Sequence, residues 1–151
     1  MRARIFAVAV LGLLTLVACA PGNTLRPGSE PPPAAGLARL YVYRASAPSQ
    51  PQTWTTVSLN GRPVGSSAPG SVFYRDVPPG RYEVGVRSDQ RYPDQFRSVL
   101  LRPGDTAYVE VQEARHWGWT GWGRTGTTFA VRLVSPAQAQ QQMTGLRLTS
   151  G

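Results

Sequence analysis

From residue 38 onward the chain alternates between apolar and polar positions in short bursts, each closed by a turn signal. Ala38-Arg39-Leu40-Tyr41-Val42-Tyr43-Arg44 is rich in β-branched and aromatic residues and predicts a strand. Trp54 to Leu59 predicts a second, and Asn60-Gly61 is the strongest two-residue hairpin signal in the chain, with Pro63 to Ser66 returning from it. Ser71 to Arg75 follows, ended by Asp76-Val77-Pro78-Pro79-Gly80. Arg81 to Arg87 places Tyr82, Val84 and Val86 on one face; Gln95 to Leu101 is stopped by Arg102-Pro103-Gly104-Asp105. Thr106 to Glu113 turns Ala107, Val109 and Val111 inward, and Thr128 to Val134 closes the series with Phe129, Val131 and Leu133. Pro136 to Met143 predicts one short helix, with Ser135 as its cap and Pro136 in its first turn.

About seven to eight short strands with a turn every eight to twelve residues describe an all-β fold, a β-sandwich. The alternation predicts antiparallel sheets, each with one face in water. No internal repeat interrupts the series.

The N-terminus has a different pattern. Met1 to Arg4 is basic, and Ile5 to Val17 is apolar apart from Gly12 and Thr15. That run is too short to cross a bilayer and fits the hydrophobic stretch of a signal peptide. Leu16-Val17-Ala18-Cys19 closes it and resembles the lipobox of bacterial lipoprotein precursors at each position. Small residues before the cut let an extended backbone enter the peptidase, and only a Cys thiol can take the diacylglyceryl thioether. The resemblance implies cleavage between Ala18 and Cys19, lipidation of Cys19 and acylation of the new amine. Ala20 stands where Asp retains enteric lipoproteins at the inner membrane, so the expected address is the outer membrane, facing the periplasm.

Residues 19–36 form the next unit, a lipidated Pro-rich linker. Ala20 to Gly36 contains almost nothing to bury, and extended it would reach at most about 50 Å. The alternative is an irregular segment lying on the domain. The expected division is therefore 1–18 signal peptide, 19–36 disordered linker and 37–151 sandwich with its short C-terminal helix.

Composition narrows the function classes. The net charge is +8 and every basic residue is Arg. Fourteen Arg follow the signal, scattered singly, against 8 acids. This charge suits anionic envelope material as well as plain solubility, and without a basic block it predicts no nucleic-acid partner. The single Cys excludes an intrachain disulfide. His116 is the lone His, Lys is absent, and no acids have ligand spacing, so no catalytic residue, metal or cofactor is expected.

The unusual segment is His116-Trp117-Gly118-Trp119-Thr120-Gly121-Trp122-Gly123-Arg124, which holds three of the 4 Trp. Trp117, Trp119 and Trp122, with Arg115 and Arg124, are the candidate binding surface, either a stacking platform for sugars or a cap on one end of the sandwich.

Three stretches carry a family resemblance. They are the opening 38–44; the hairpin Val57-Ser58-Leu59-Asn60-Gly61-Arg62-Pro63-Val64-Gly65; and the pair Val77-Pro78-Pro79-Gly80-Arg81-Tyr82-Glu83-Val84 and Arg102-Pro103-Gly104-Asp105-Thr106-Ala107-Tyr108-Val109-Glu110-Val111. In this order they resemble the bacterial lipoprotein family called domain of unknown function 2846, over about residues 38 to 135. The hairpin and Pro-Gly turn also resemble repeats with a Pro-Glu-Gly-Ala signature and transthyretin-type sandwiches. The resemblance implies an envelope β-sandwich and no particular activity. The expected role is a non-catalytic binding, adaptor or structural domain with an envelope protein partner; the alternative is a glycan-binding module that uses the Trp/Arg loop on cell-wall or surface polysaccharide.

Overall fold

The computed structural model describes residues 24–46, 53–88, 93–114 and 128–150. Among them are nine strands and one helix: β1 (Ala38–Arg44), β2 (Thr55–Leu59), β3 (Arg62–Ser67), β4 (Ser71–Val77), β5 (Gly80–Val86), β6 (Phe96–Leu101), β7 (Thr106–Ala114), β8 (Thr128–Val134), α1 (Pro136–Met143) and β9 (Arg147–Leu148). The eight strands expected from alternation lie within a residue or two of their predicted bounds. Asn60 (φ 50°) and Gly61 (φ 76°) both take left-handed backbone, as the two-residue hairpin between β2 and β3 requires.

The strands form two facing sheets, β8-β7-β1-β4-β9 and β3-β2-β5-β6. Between them lies one apolar core: Leu40 and Val42 of β1, Val57 and Leu59 of β2, Phe73 of β4, Val84 and Val86 of β5, Val109 and Val111 of β7, Phe129 and Val131 of β8. Tyr82 and Ala107 pack against it. Leu133 has the same parity but sits 39 % exposed on the edge strand.

Three expectations need correction. The larger sheet is mixed, because β1 runs parallel to β7, and β9 runs parallel to β4. Alternation reports which face a residue takes, not which strand lies beside it, so it carried no sign of this. The outer face of that sheet is covered over β1, while at its edge Arg132 of β8 stays exposed. All seven residues of β1 are buried, because its outward side chains Tyr41 and Tyr43 are covered by Ala139 and Met143 of α1, by Leu146 and by Leu25.

Leu25 marks the third difference. The Pro-rich stretch was expected as a free linker, yet from residue 24 to 36 it is a strap fastened to the outer face of the larger sheet. Leu25 is 2 % exposed, its N–H donates to the Leu146 carbonyl at 2.8 Å, and Thr24 bridges Arg147. Farther along, Arg39 donates to the Pro31 carbonyl and the Tyr41 hydroxyl donates to Glu30 at 3.3 Å. One buried leucine and a few backbone hydrogen bonds fix a segment whose prolines have little chain entropy to lose.

The helix is short and held by its ends. Pro136 opens it, Ser135 accepts a hydrogen bond from the Gln138 N–H, and Ala139 and Met143, four residues apart, face the sheet. Tyr43 donates its hydroxyl to Gln142 at 2.6 Å, so burying that ring leaves no polar atom unsatisfied.

Candidate binding face at the Trp54 end

Arg39 and Arg44 lie toward opposite ends of β1, and both are buried. Arg39 faces outward. Its guanidinium takes both oxygens of Asp76 on β4, at 2.6 and 2.8 Å, and lies over the Tyr74 ring. The guanidinium holds the Asp76 carboxyl below its ordinary value. Beside it, Tyr74, Tyr41 and Tyr108 make a row across β4, β1 and β7, with Tyr41 stacked on Tyr108 at 5.3 Å between ring centroids. This cluster sits beneath the strap and is structural.

Arg44 faces inward, by the same parity as Leu40 and Val42. It plugs the space between the sheets at the other end, 1 % exposed, ion-paired to Glu113 of β7 at 3.2 Å and lying over the Phe129 ring of β8. Burial pushes its guanidinium below the usual arginine value, while Glu113 opposes that shift. Its Nη1 donates to the Thr53 carbonyl at 2.7 Å. Two residues later the Thr55 hydroxyl donates to the Arg87 carbonyl. Trp54 therefore stands on backbone clamped on both sides.

Its side chain nevertheless points into water, 71 % exposed. A cleft of about 470 Å³ opens on one side of it, lined by Thr53, Thr56, Arg87, Ser88 and Phe129. Another of about 460 Å³ opens on the other, lined by Ser66, Ala68, Ser71, Arg147 and Thr149. The Ser88 hydroxyl is occupied with the Phe129 backbone and that of Ser71 with Ala68, so both are part of the frame. Arg87 and Arg147, one in each cleft, take part in none of the ion pairs among the described residues. An exposed Trp between two cations is suited to binding a surface or ligand that offers apolar contact and negative charge together.

The residues singled out from sequence cannot be set beside this face. Leu16, Val17, Ala18 and Cys19 lie outside the described residues, as do Arg115, His116, Trp117, Trp119, Trp122 and Arg124. The segment that carries the three Trp leaves β7 at Ala114 and rejoins β8 at Thr128, two residues paired with each other at the Arg44 end. Sequence reasoning passed over Trp54, Arg87 and Arg147. For Trp54 the signal was present: it has the parity of Thr56 and Ser58, the outward face of β2, where a Trp has no core to enter.

No group of three or more His, Cys, Asp or Glu able to hold a metal occurs among the described residues, and no helix among them is long and apolar enough to cross a membrane. No curated protein matches the chain. Residues 34–120, from the end of the strap through β7 and into the Trp-bearing segment, match the family model described as "Protein of unknown function (DUF2846)". That span is more than half of the 151 residues, and the chain belongs to the DUF2846 family.

Proposed function

We propose that the chain is a lipid-anchored protein of the bacterial cell envelope, attached through Cys19 to the outer membrane and facing the periplasm, and that its sandwich binds rather than catalyses. The observation that carries this reading is the junction between Leu16-Val17-Ala18-Cys19 and the fastened strap. Only residues 20–23 separate the lipid-attachment Cys from Thr24, which already pairs with the domain. Such an arrangement keeps a small domain at a membrane surface, where a partner in the envelope finds it. The buried ionisable groups are engaged in holding the frame: Arg39 with Asp76, Arg44 with Glu113, and Glu110 with Arg132. Among the described residues, what remains exposed and chemically distinctive is Trp54 with its flanking arginines.

The test is to express the chain in a bacterium fed a radiolabelled or clickable fatty acid and to measure the mass of the N-terminal peptide. A peptide that begins at Cys19 and carries diacylglyceryl and acyl groups, with label absent from Cys19→Ala, is expected. A peptide that begins elsewhere, or an unmodified thiol in the membrane fraction, overturns the reading.

A further inference from the structure

We infer that the Trp54 end of the sandwich is a membrane-docking surface, in which Trp54 enters the headgroup region and Arg87 and Arg147 meet anionic lipid phosphates. The inference rests on the lipid anchor proposed above and adds an orientation and a ligand to it.

The first observation is where the chain leaves the fold. Thr24 bridges Arg147, Arg147 pairs with Ser71 of β4, and Ser71 pairs with Arg44 of β1. The strap therefore departs toward Cys19 at the Arg44 end, and Arg147, Ser71 and Trp54 line one cleft there. The second is the length of chain left over. Residues 20–23 allow at most about 18 Å between the Cα atoms of Cys19 and Thr24. With acyl chains on Cys19, the Arg44 end cannot rise farther than that from the bilayer surface. The Leu100 end is the opposite one: Leu100 pairs with Arg81, beside the Pro78-Pro79 turn.

The third observation is chemical. Trp is the side chain suited to the interface, with a broad apolar face and one N–H donor. Trp54 is held out by clamped backbone rather than tucked into a core. Arg87 and Arg147 stand in the clefts beside it, and Asp94, an exposed acid in the 3-10 turn (Pro93–Gln95) before β6, is neutralised by Arg97 at 2.8 Å. The lone leucine in the strap, Leu25, turns inward and adds no apolar side chain to that end. Together these describe a shallow interfacial contact made by Trp54 and its two neighbouring arginines.

The experiment uses the lipidated chain purified from membranes and reconstituted into vesicles of phosphatidylcholine alone or with phosphatidylglycerol. Because lipid consumes the thiol of the only Cys, Trp54→Cys and, separately, Leu100→Cys each present one site for a nitrobenzoxadiazole probe. Both positions are exposed, 71 % and 56 %, so both variants keep the core intact. The probe at 54 is expected to shift to the blue and to be quenched by lipids bearing a headgroup-level nitroxide, while the probe at 100 stays in water. Arg87→Gln and Arg147→Gln are each expected to lower the docked-to-free ratio about fivefold on anionic vesicles and to leave it unchanged on neutral ones. A probe at 54 as wet as the one at 100, quenching at 100 instead, or protection of position 54 by soluble glycan or protein in place of lipid overturns the docking surface. Mass spectrometry of the same sample separates the two claims: an unmodified Cys19 removes the anchor and the docking with it, whereas a lipidated chain with position 54 in water removes the docking alone.

Discussion

Arg44 and Glu113 form an ion pair at 3.2 Å inside the sandwich, at the end of the core where Trp54 is displayed. Among the described residues, the bond from Arg44 to the Thr53 carbonyl at 2.7 Å links the pair to the surface. An arginine would not ordinarily stand between two apolar sheets, because desolvation of the charge costs several kcal/mol. Here it fills the gap beyond Val42 and Val111, lies over Phe129 and sets the backbone that carries Trp54. Position of the exposed Trp and satisfaction of the buried charge are one arrangement.

The first prediction follows from that coupling. Arg44→Ala leaves Glu113 buried and unpaired and is expected to destabilise the domain by about 3–5 kcal/mol. The double replacement Arg44→Met with Glu113→Leu removes both charges at similar volume and is expected to cost far less. Urea unfolding of wild type and the two variants checks this. Equal losses in the single and the double variant would mean that the guanidinium acts through packing alone.

Asp76 gives a prediction in pH. Arg39 holds its carboxyl below the usual value in the folded chain. A carboxylate depressed on folding contributes stability above its unfolded value, near 3.9, and loses it as pH falls through the lower folded value. Wild type should therefore exceed Asp76→Asn by about 1.5–3 kcal/mol at neutral pH. The gap should begin to narrow near pH 4 and vanish on further acidification. Paired urea curves at pH 7 and at pH 3 or below measure it; a gap that does not change with pH would assign the effect to shape instead of charge.

Tyr43 titrates in the opposite direction. Burial pushes its phenol up to about 12, so the folded chain keeps a proton that the unfolded chain releases near 10. The stability linked to that proton is complete below pH 10 and declines between 10 and 12. Tyr43→Phe loses the bond to Gln142 and should be less stable at neutral pH but lack this part of the alkaline decline. Thermal unfolding across pH 8 to 11 distinguishes the two slopes.

Much of the fold was legible because its strands follow a period of two and its turns use Gly, Pro and Asn where the backbone needs them. The two-sided burial of β1 could have been read from its own composition, since Leu40 and Val42 alternate with Tyr41 and Tyr43 and neither face is polar. Its parallel partner could not, because β1 and β7 meet through tertiary packing that no local pattern encodes. β9 is two residues long, below any periodicity. Leu25 stands alone among Pro, Gly and polar residues, where a single apolar position carries no period. The family match covers β1 to β7 and leaves out the helix, and the part of the candidate site chosen for its three Trp lies outside the described residues.

Gly85 tests the packing of the smaller sheet. A Cβ at this position would stand 2.8 Å from the Phe96 ring and 3.1 Å from the Ser58 hydroxyl. Phe96 is the cross-strand partner of Gly85, and its ring occupies the space a side chain would fill. Gly85→Ala is expected to cost about 1–3 kcal/mol from overpacking. Phe96→Leu in the same chain should recover part of that loss, because residues in contact are not additive. Denaturant midpoints of the two single variants and the double variant close the cycle; full additivity would show that the ring moves aside freely.

Leu25 decides whether the strap is a working part of the domain. Its side chain is closed to solvent among Tyr41, Tyr43 and Met143. Leu25→Ala should therefore destabilise the strap by about 2–4 kcal/mol, the usual range for truncating a buried leucine. The loss should be local, since the core between the sheets does not include this residue. Amide hydrogen exchange at residue 25 reports it directly, because that N–H donates to the Leu146 carbonyl and exchanges only when the strap lifts. Exchange at residue 25 should accelerate in Leu25→Ala well before the sandwich unfolds. If the same region were a free tether, the substitution would change neither the rate nor the stability, and the domain would swing on a leash instead of meeting the membrane in one orientation.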